Sequence, residues 1–141
     1  YGSGAWGLAD DSVRRLRVSS ESKTVIIEDG HSTGARREQA ANFLAAAVRL
    51  DHWELRTFST TLSLAYVASG RVAAYSLFSI SAVHAAAGSL LASEAGALLT
   101  DLQGNPWMIE SDSLIASADA ALHDELLKLA HDAETVRSHN M

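Results

Sequence analysis

The stretch that decides the fold runs from Thr60 to Asp101, TTLSLAYVASGRVAAYSLFSISAVHAAAGSLLASEAGALLTD, where only Arg71, Glu94 and Asp101 carry a full charge. Two parts of it, Thr60 to Ser69 and Ala82 to Ala95, are apolar or small almost all the way round, which predicts helices buried on more than one side. The second is dense in small residues, Ala85-Ala86-Ala87-Gly88 and then Ala92 and Ser93. Such a surface lets neighbouring backbones approach closely, and Gly96 is a natural residue just beyond its C-terminus. Val72 to Phe78 reads as a strand between the two helices. Ala97-Leu98-Leu99-Thr100-Asp101 reads as another, closed by the turn residues Gly104-Asn105-Pro106.

Working outward, Val25-Ile26-Ile27 is a β-branched run followed by Asp29-Gly30, a short buried strand and a turn. From Arg36 to Leu50, Ala40, Phe43, Leu44, Ala47 and Val48 fall at helical spacing behind a polar leading turn, so this helix lies on a surface. Downstream, Leu114-Ile115-Ala116 is a third short strand. Asp119 is a good N-cap for a closing helix that carries Leu122, Leu126, Leu129, Ala133 and Val136 on one face. Strands alternating with helices predict one α/β domain over residues 1–141, a layered sandwich whose mixed, largely parallel sheet is flanked by helices. Two nearly all-apolar helices in so small a domain imply a missing partner layer, because a two-layer domain keeps one helix face wet.

Composition narrows the function classes. A chain of 141 residues with 48% apolar content holds one real core. The formal charge of -6, with eleven basic residues scattered among seventeen acidic ones, leaves no basic patch for a nucleic-acid backbone. The absence of cysteine excludes disulfides, zinc-thiolate sites and a cysteine nucleophile. No apolar run is long enough to span a membrane and no signal peptide opens the chain, so a cytoplasmic protein without membrane partners is expected. The start at Tyr1 rather than Met reads as processing or as excision from something longer.

Leu64-Ala65-Tyr66-Val67-Ala68-Ser69-Gly70, then Ala74-Tyr75, Ala86-Ala87-Gly88, Glu94-Ala95-Gly96 and Thr100-Asp101 resemble, in order and spacing, the C-terminal half of the inositol monophosphatase family, within the fructose-1,6-bisphosphatase-like superfamily. Gly2-Ser3-Gly4-Ala5-Trp6 with Leu16-Arg17-Val18-Ser19 is similar to a hairpin of that family, and Ile115-Ala116 with Ala121 to Leu126 to its last strand and helix. The resemblance implies a Mg2+-dependent phosphomonoesterase, in which metal ions activate a water and stabilise the leaving oxygen. Most of the family's metal ligands lie in its first half, on a glutamate and an Asp-Pro-Ile/Leu-Asp-Gly-Thr motif, and neither occurs here. Its second half supplies one more aspartate in Trp-Asp-x-Ala-Ala-Gly, and those first two positions are Val83 and His84. Leu77 stands where many members place a substrate-binding glutamate, and Phe58-Ser59-Thr60 replaces Gly-Ser/Thr-Ala.

The resemblance therefore implies a scaffold without the acids: a fragment or degenerate binding or assembly module, not catalytic as an isolated chain and holding no Mg2+ alone. The alternative is the C-terminal part of a working phosphatase whose other carboxylates come from a missing segment or partner chain. His84, at the aspartate position, is the candidate metal ligand, although imidazole suits zinc, manganese or nickel better than magnesium. Ser59, Thr60 and His84 together are the candidate site for a phosphate-like anion, because a helix N-terminus attracts negative charge.

The blander readings are these. His123, His131 and His139 are eight apart and predicted to be solvated. Ser59, Thr60 and Thr61 form a helix N-cap rather than a nucleophile, since no Gly-x-Ser-x-Gly elbow surrounds them. Glu94 is a helix-end residue bonding nearby backbone, and Trp6, Trp53 and Trp107 are packing residues. Removal of a partner layer predicts self-association or docking of a missing N-terminal half.

Overall fold

The computed structural model describes residues 2–9, 11–80 and 82–139, with the backbone alone for residues 9, 82 and 135–139. In chain order come β1 (Trp6–Ala9), β2 (Ser12–Arg15), β3 (Thr24–Glu28), α1 (Gly34–Leu50), β4 (Glu54–Arg56), α2 (Thr60–Ala68), β5 (Ala74–Leu77), α3 (Ala82–Glu94), β6 (Leu98–Thr100), β7 (Leu114–Ser117) and α4 (Ala120–His139). β1 and β2 form a separate antiparallel hairpin, and the other strands form one sheet in the order β4-β3-β5-β7-β6. β3 pairs in parallel with β4 and β5, while β7 pairs antiparallel with β5 and β6. The sheet is mixed, as expected, with its parallel and antiparallel ladders in equal share.

The period of two along each strand sorts side chains between two helix layers. Val25, Ile27, Ala74 and Ile115 pack with Phe43 and Ala47 of α1 and Leu126 and Ala130 of α4. Ile26, Tyr75, Leu77, Leu114 and Ala116 pack with Leu64 and Val67 of α2 and Ala92 of α3. A strand covered on both faces has no wet side, which is why Val25-Ile26-Ile27 reads as a continuous apolar run rather than an alternation. Full burial of a side chain such as Leu64 or Phe43 contributes roughly 1.5–3 kcal/mol. Phe43 also meets Phe78 edge to face with ring centroids 5.0 Å apart, locking α1 onto the end of β5. The Gln39 amide donates to the Ala130 carbonyl at 2.8 Å and ties α1 to α4.

The small-residue surface of α3 has the consequence expected of it. A Cβ at Gly88 would lie 2.7 Å from Leu64 Cδ1 and 2.8 Å from Leu64 Cβ, so α2 and α3 touch where α3 has no side chain. At the start of α4, the Asp119 carboxylate accepts the Leu122 N–H at 2.8 Å, the capping bond its position predicted.

Other expectations need correction. The strand predicted over 72–78 is shorter, Ala74–Leu77, and β4 was not anticipated, because Glu-Leu-Arg carries no apolar run. Leu44 and Val48 of α1 are exposed, so the buried stripe is the narrower Ala40-Phe43-Ala47. His123 is not solvated: it is 4% exposed, with Nδ1 2.6 Å from Ser117 Oγ and Nε2 2.8 Å from Thr100 Oγ1. One turn into α4, it faces the sheet, which the eight-residue spacing of the histidines did not reveal. His131 is exposed, and the side chain of His139 lies outside the described residues, as does that of Val136. Trp53 and Trp107 pack against the core, whereas Trp6 is exposed on the hairpin with the Arg15 guanidinium 5.9 Å from its ring. Finally, α2 and α3 are buried on one side and open on the other, with Leu62, Val83 and Leu90 in solvent.

Candidate functional site

Parallel strands place their C-terminal ends at one edge of a sheet, and the loops leaving those ends are the usual makers of ligand clefts in α/β folds. Here the loop after β3 meets the loop after β5. Gly30 adopts φ +65°, and a Cβ there would fall 2.1 Å from the Ser79 carbonyl oxygen, so only glycine permits the approach. His31 follows, itself left-handed at φ 59°, a conformation that costs a non-glycine residue roughly 1–2 kcal/mol. α2 and α3 both begin at this edge, and the Thr61 hydroxyl donates to the His84 carbonyl at 3.4 Å across their first turns.

The result is a cleft of about 430 Å3 whose wall includes Ser59, Thr60, His84, His31 and Glu28, with Leu77 and Ser79 beside them. Ser59, Thr60 and His84, singled out in the sequence, are thus brought to one place. Ser59 occupies the N-cap position of α2 by backbone geometry, but its side chain makes no capping bond. His84 is exposed in the first turn of α3, and Val83 beside it is 89% exposed. Leu77 is 2% exposed and belongs to the core as well as to the cleft wall, and Phe58 stands edge to face against Tyr66 with centroids 5.9 Å apart.

Sequence reasoning missed Glu28, Gly30 and His31. The signal was present: a β-branched strand ending in Glu28-Asp29-Gly30-His31 puts two polar side chains of the cleft wall at the C-terminal end of a parallel strand. Glu28 is engaged from behind. The Tyr75 hydroxyl donates to Glu28 Oε2 and lies 3.2 Å from Thr60 Oγ1, which is 3.5 Å from the same carboxylate oxygen. Burial, and then the bond to Glu28, push the Tyr75 phenol well above the ordinary tyrosine range.

Magnesium requires several hard oxygen ligands. Among the described residues Glu28 is the one carboxylate of the cleft wall, its Oε2 already accepts from Tyr75, and no group of three or more His, Asp or Glu side chains could hold an ion. The donors of this cleft, among the described residues, do not fit magnesium.

The fold and the cleft define an α/β sandwich domain in which two helices begin beside a cleft at the C-terminal edge of parallel strands. The chain belongs to the inositol monophosphatase family, whose model matches residues 2–135. The inositol-1-monophosphatase ImpA of Mycolicibacterium smegmatis is 37% identical over 71 residues, covering 50% of this chain and 25% of that protein. The Nus factor SuhB of Vibrio cholerae is 40% identical over 63 residues, 45% of this chain and 24% of that protein. Among solved structures, Mycobacterium tuberculosis SuhB superposes with a TM-score of 0.73 at 28% identity, covering 92% of this chain and 51% of its own. The IMPase of Thermotoga maritima gives a TM-score of 0.71 at 25% identity, covering 85% and 46%. The chain thus spans about half the length of its solved relatives, and its matches to the curated proteins span about a quarter of theirs. Among the described residues no helix is long and apolar enough to cross a membrane.

Proposed function

We propose that the cleft binds the phosphate group of a small phosphorylated ligand, and that this chain by itself binds without hydrolysing. The observation that carries the reading is the meeting of the first turns of α2 and α3 with His31 and His84 on one cleft. Free N–H groups and the dipole at a helix start favour an anion. Ser59 and the two imidazoles line the same space as further hydrogen-bonding groups, while the Thr60 hydroxyl is turned to Glu28. Hydrolysis in the manner of the family needs carboxylates to hold metal, and the lone Glu28 is committed to Tyr75.

Titration of inorganic phosphate into the isotope-labelled chain, followed by amide chemical shifts, tests the reading. Perturbation is expected at Gly30–His31, Ser59–Thr61 and His84, with His84→Ala weakening binding about tenfold, or about 1.4 kcal/mol. Absence of any response at these amides in tens of millimolar phosphate contradicts it.

The half-length match to the solved relatives favours a second reading: this chain supplies the substrate side of a site whose carboxylates lie on another segment. The inositol monophosphatase activity for which ImpA is named then extends to the assembled protein. That reading expects magnesium-dependent, chelator-sensitive hydrolysis of a phosphate monoester once the complementary half is added, raised by His84→Asp and not by His84→Ala.

A further inference from the structure

The phosphate cleft is electrically lopsided. Neither α2 nor α3 has an acidic residue in its first turn, and no Lys or Arg lines the wall. The one carboxylate among the wall residues is Glu28, and the sheet fixes its place: it ends β3 in register with Leu77 of β5, on the face that carries α2 and α3. Burying an ionised carboxylate is costly unless it is both hydrogen-bonded and paired with a cation. Glu28 has the first and lacks the second. Its Oε2 accepts from the Tyr75 hydroxyl and, at 3.5 Å, from Thr60 Oγ1, both of them neutral donors.

Neighbouring acids are answered differently. Asp29, the next residue, has the Arg37 guanidinium at 3.6 Å, and Asp112, just before β7, has that of Arg36 at 2.9 Å. Among the described residues no cation forms an ion pair with Glu28, and its Oε1 accepts no hydrogen bond. A half-buried carboxylate with its charge unanswered, on the wall of a cleft, is matched by a cationic donor brought from outside. The anion side of the cleft is close by. Thr60, in the first turn of α2, reaches Glu28 through its hydroxyl, while Ser59 before it occupies the N-cap position of the same helix. A bare phosphate at these helix starts meets the carboxylate as a like charge, whereas a phosphate with a cation on a short chain meets both ends of the cleft with the opposite sign.

We propose that the ligand of this cleft is a phosphate monoester carrying an ammonium group on a short chain, with the phosphate at the first turns of α2 and α3 and the ammonium on Glu28 Oε1. The inference rests on the reading of the cleft as a phosphate site and adds what selects among phosphates. Glu28 discriminates by charge: an ammonium brings N–H donors and the opposite sign, a hydroxyl brings a donor alone, and an alkyl group brings neither. Tyr75 and Thr60 anchor the carboxylate through Oε2, which leaves Oε1 to the ligand and spares the side chain an ordering cost on binding.

The test is a chemical-shift titration of the full 141-residue chain with ethyl phosphate, 2-hydroxyethyl phosphate, 2-aminoethyl phosphate and 4-aminobutyl phosphate. It is run at about pH 8, where every one of these phosphates is fully ionised. At least one of the two amines is expected to bind about tenfold more tightly than ethyl phosphate. The carboxyl carbon resonance of Glu28 moves with that amine and not with ethyl phosphate. Glu28→Gln, which keeps an acceptor for Tyr75, brings the amine down to the affinity of ethyl phosphate. Equal affinity for all four overturns the inference and leaves the phosphate reading standing, whereas silence from all four at the cleft amides overturns both. Hydroxyethyl phosphate bound as tightly as the amines overturns the ammonium. A preference for amines that survives Glu28→Gln, or that leaves the Glu28 carbon unmoved in the unaltered chain, overturns the assignment to Glu28.

Discussion

Tyr75, wholly buried on β5, donates its hydroxyl to the Glu28 carboxylate at the end of β3, joining the middle of the sheet to the wall of the cleft. Without that hydroxyl the half-buried carboxylate keeps only the long 3.5 Å bond from Thr60. Tyr75→Phe is expected to destabilise the fold by about 1.5–3 kcal/mol, the range for a hydrogen bond to a charged group. In a double-mutant cycle with Glu28→Gln, followed by urea unfolding, the two losses combine to less than their sum.

The same pair sets an alkaline limit. The folded phenol holds its proton to a higher pH than the unfolded one, so its contribution is full below about pH 10 and is lost as pH rises beyond it. Ultraviolet titration should show Tyr75 ionising only with unfolding, whereas Tyr75→Phe removes that late step.

His123 sets the acid limit. Burial holds its imidazole below the ordinary histidine range, against the opposing pull of Asp124. As pH falls below about 6.5 the unfolded chain takes the proton first, so stability is full above that value and declines beneath it. The urea midpoint is expected to drop between pH 7.5 and 5, and His123→Gln should flatten that slope. At pH 7.5, His123→Ala costs about 2–3 kcal/mol, because Ser117 and Thr100 lose their partner.

Gly88→Ala drives a methyl into Leu64, which is fully buried and has no room to turn. A loss of about 1–3 kcal/mol is expected by calorimetry. Leu64→Ala costs about 2–5 kcal/mol alone. Combined with Gly88→Ala it should cost less than the sum, since the added methyl fills part of the space that leucine leaves.

Gly30→Ala meets both a positive φ and the Ser79 carbonyl. The strained backbone alone costs roughly 1–3 kcal/mol. The cleft walls are expected to part, weakening phosphate binding at His31 more than at His84 in the same chemical-shift titration.

Sequence by itself determined most of the elements and the family. The three-four spacing of α4, the Asp119 cap and the small-residue surface of α3 are local patterns fixed by backbone geometry, so they are legible wherever they occur. It also brought forward Ser59, Thr60 and His84, through the motif positions they fill. Tertiary structure alone decided the rest. Glu28 and His31 join the cleft because β3 and β5 run parallel and end at one edge, a pairing between residues far apart in the chain. His123 is buried because its turn of α4 faces the sheet, and spacing along a helix does not say where the sheet lies. The apolar circumference of α2 and α3 implies a missing partner layer in the letters alone; only the packed chain shows which face has a neighbour, because burial belongs to the assembly of elements and not to any one of them.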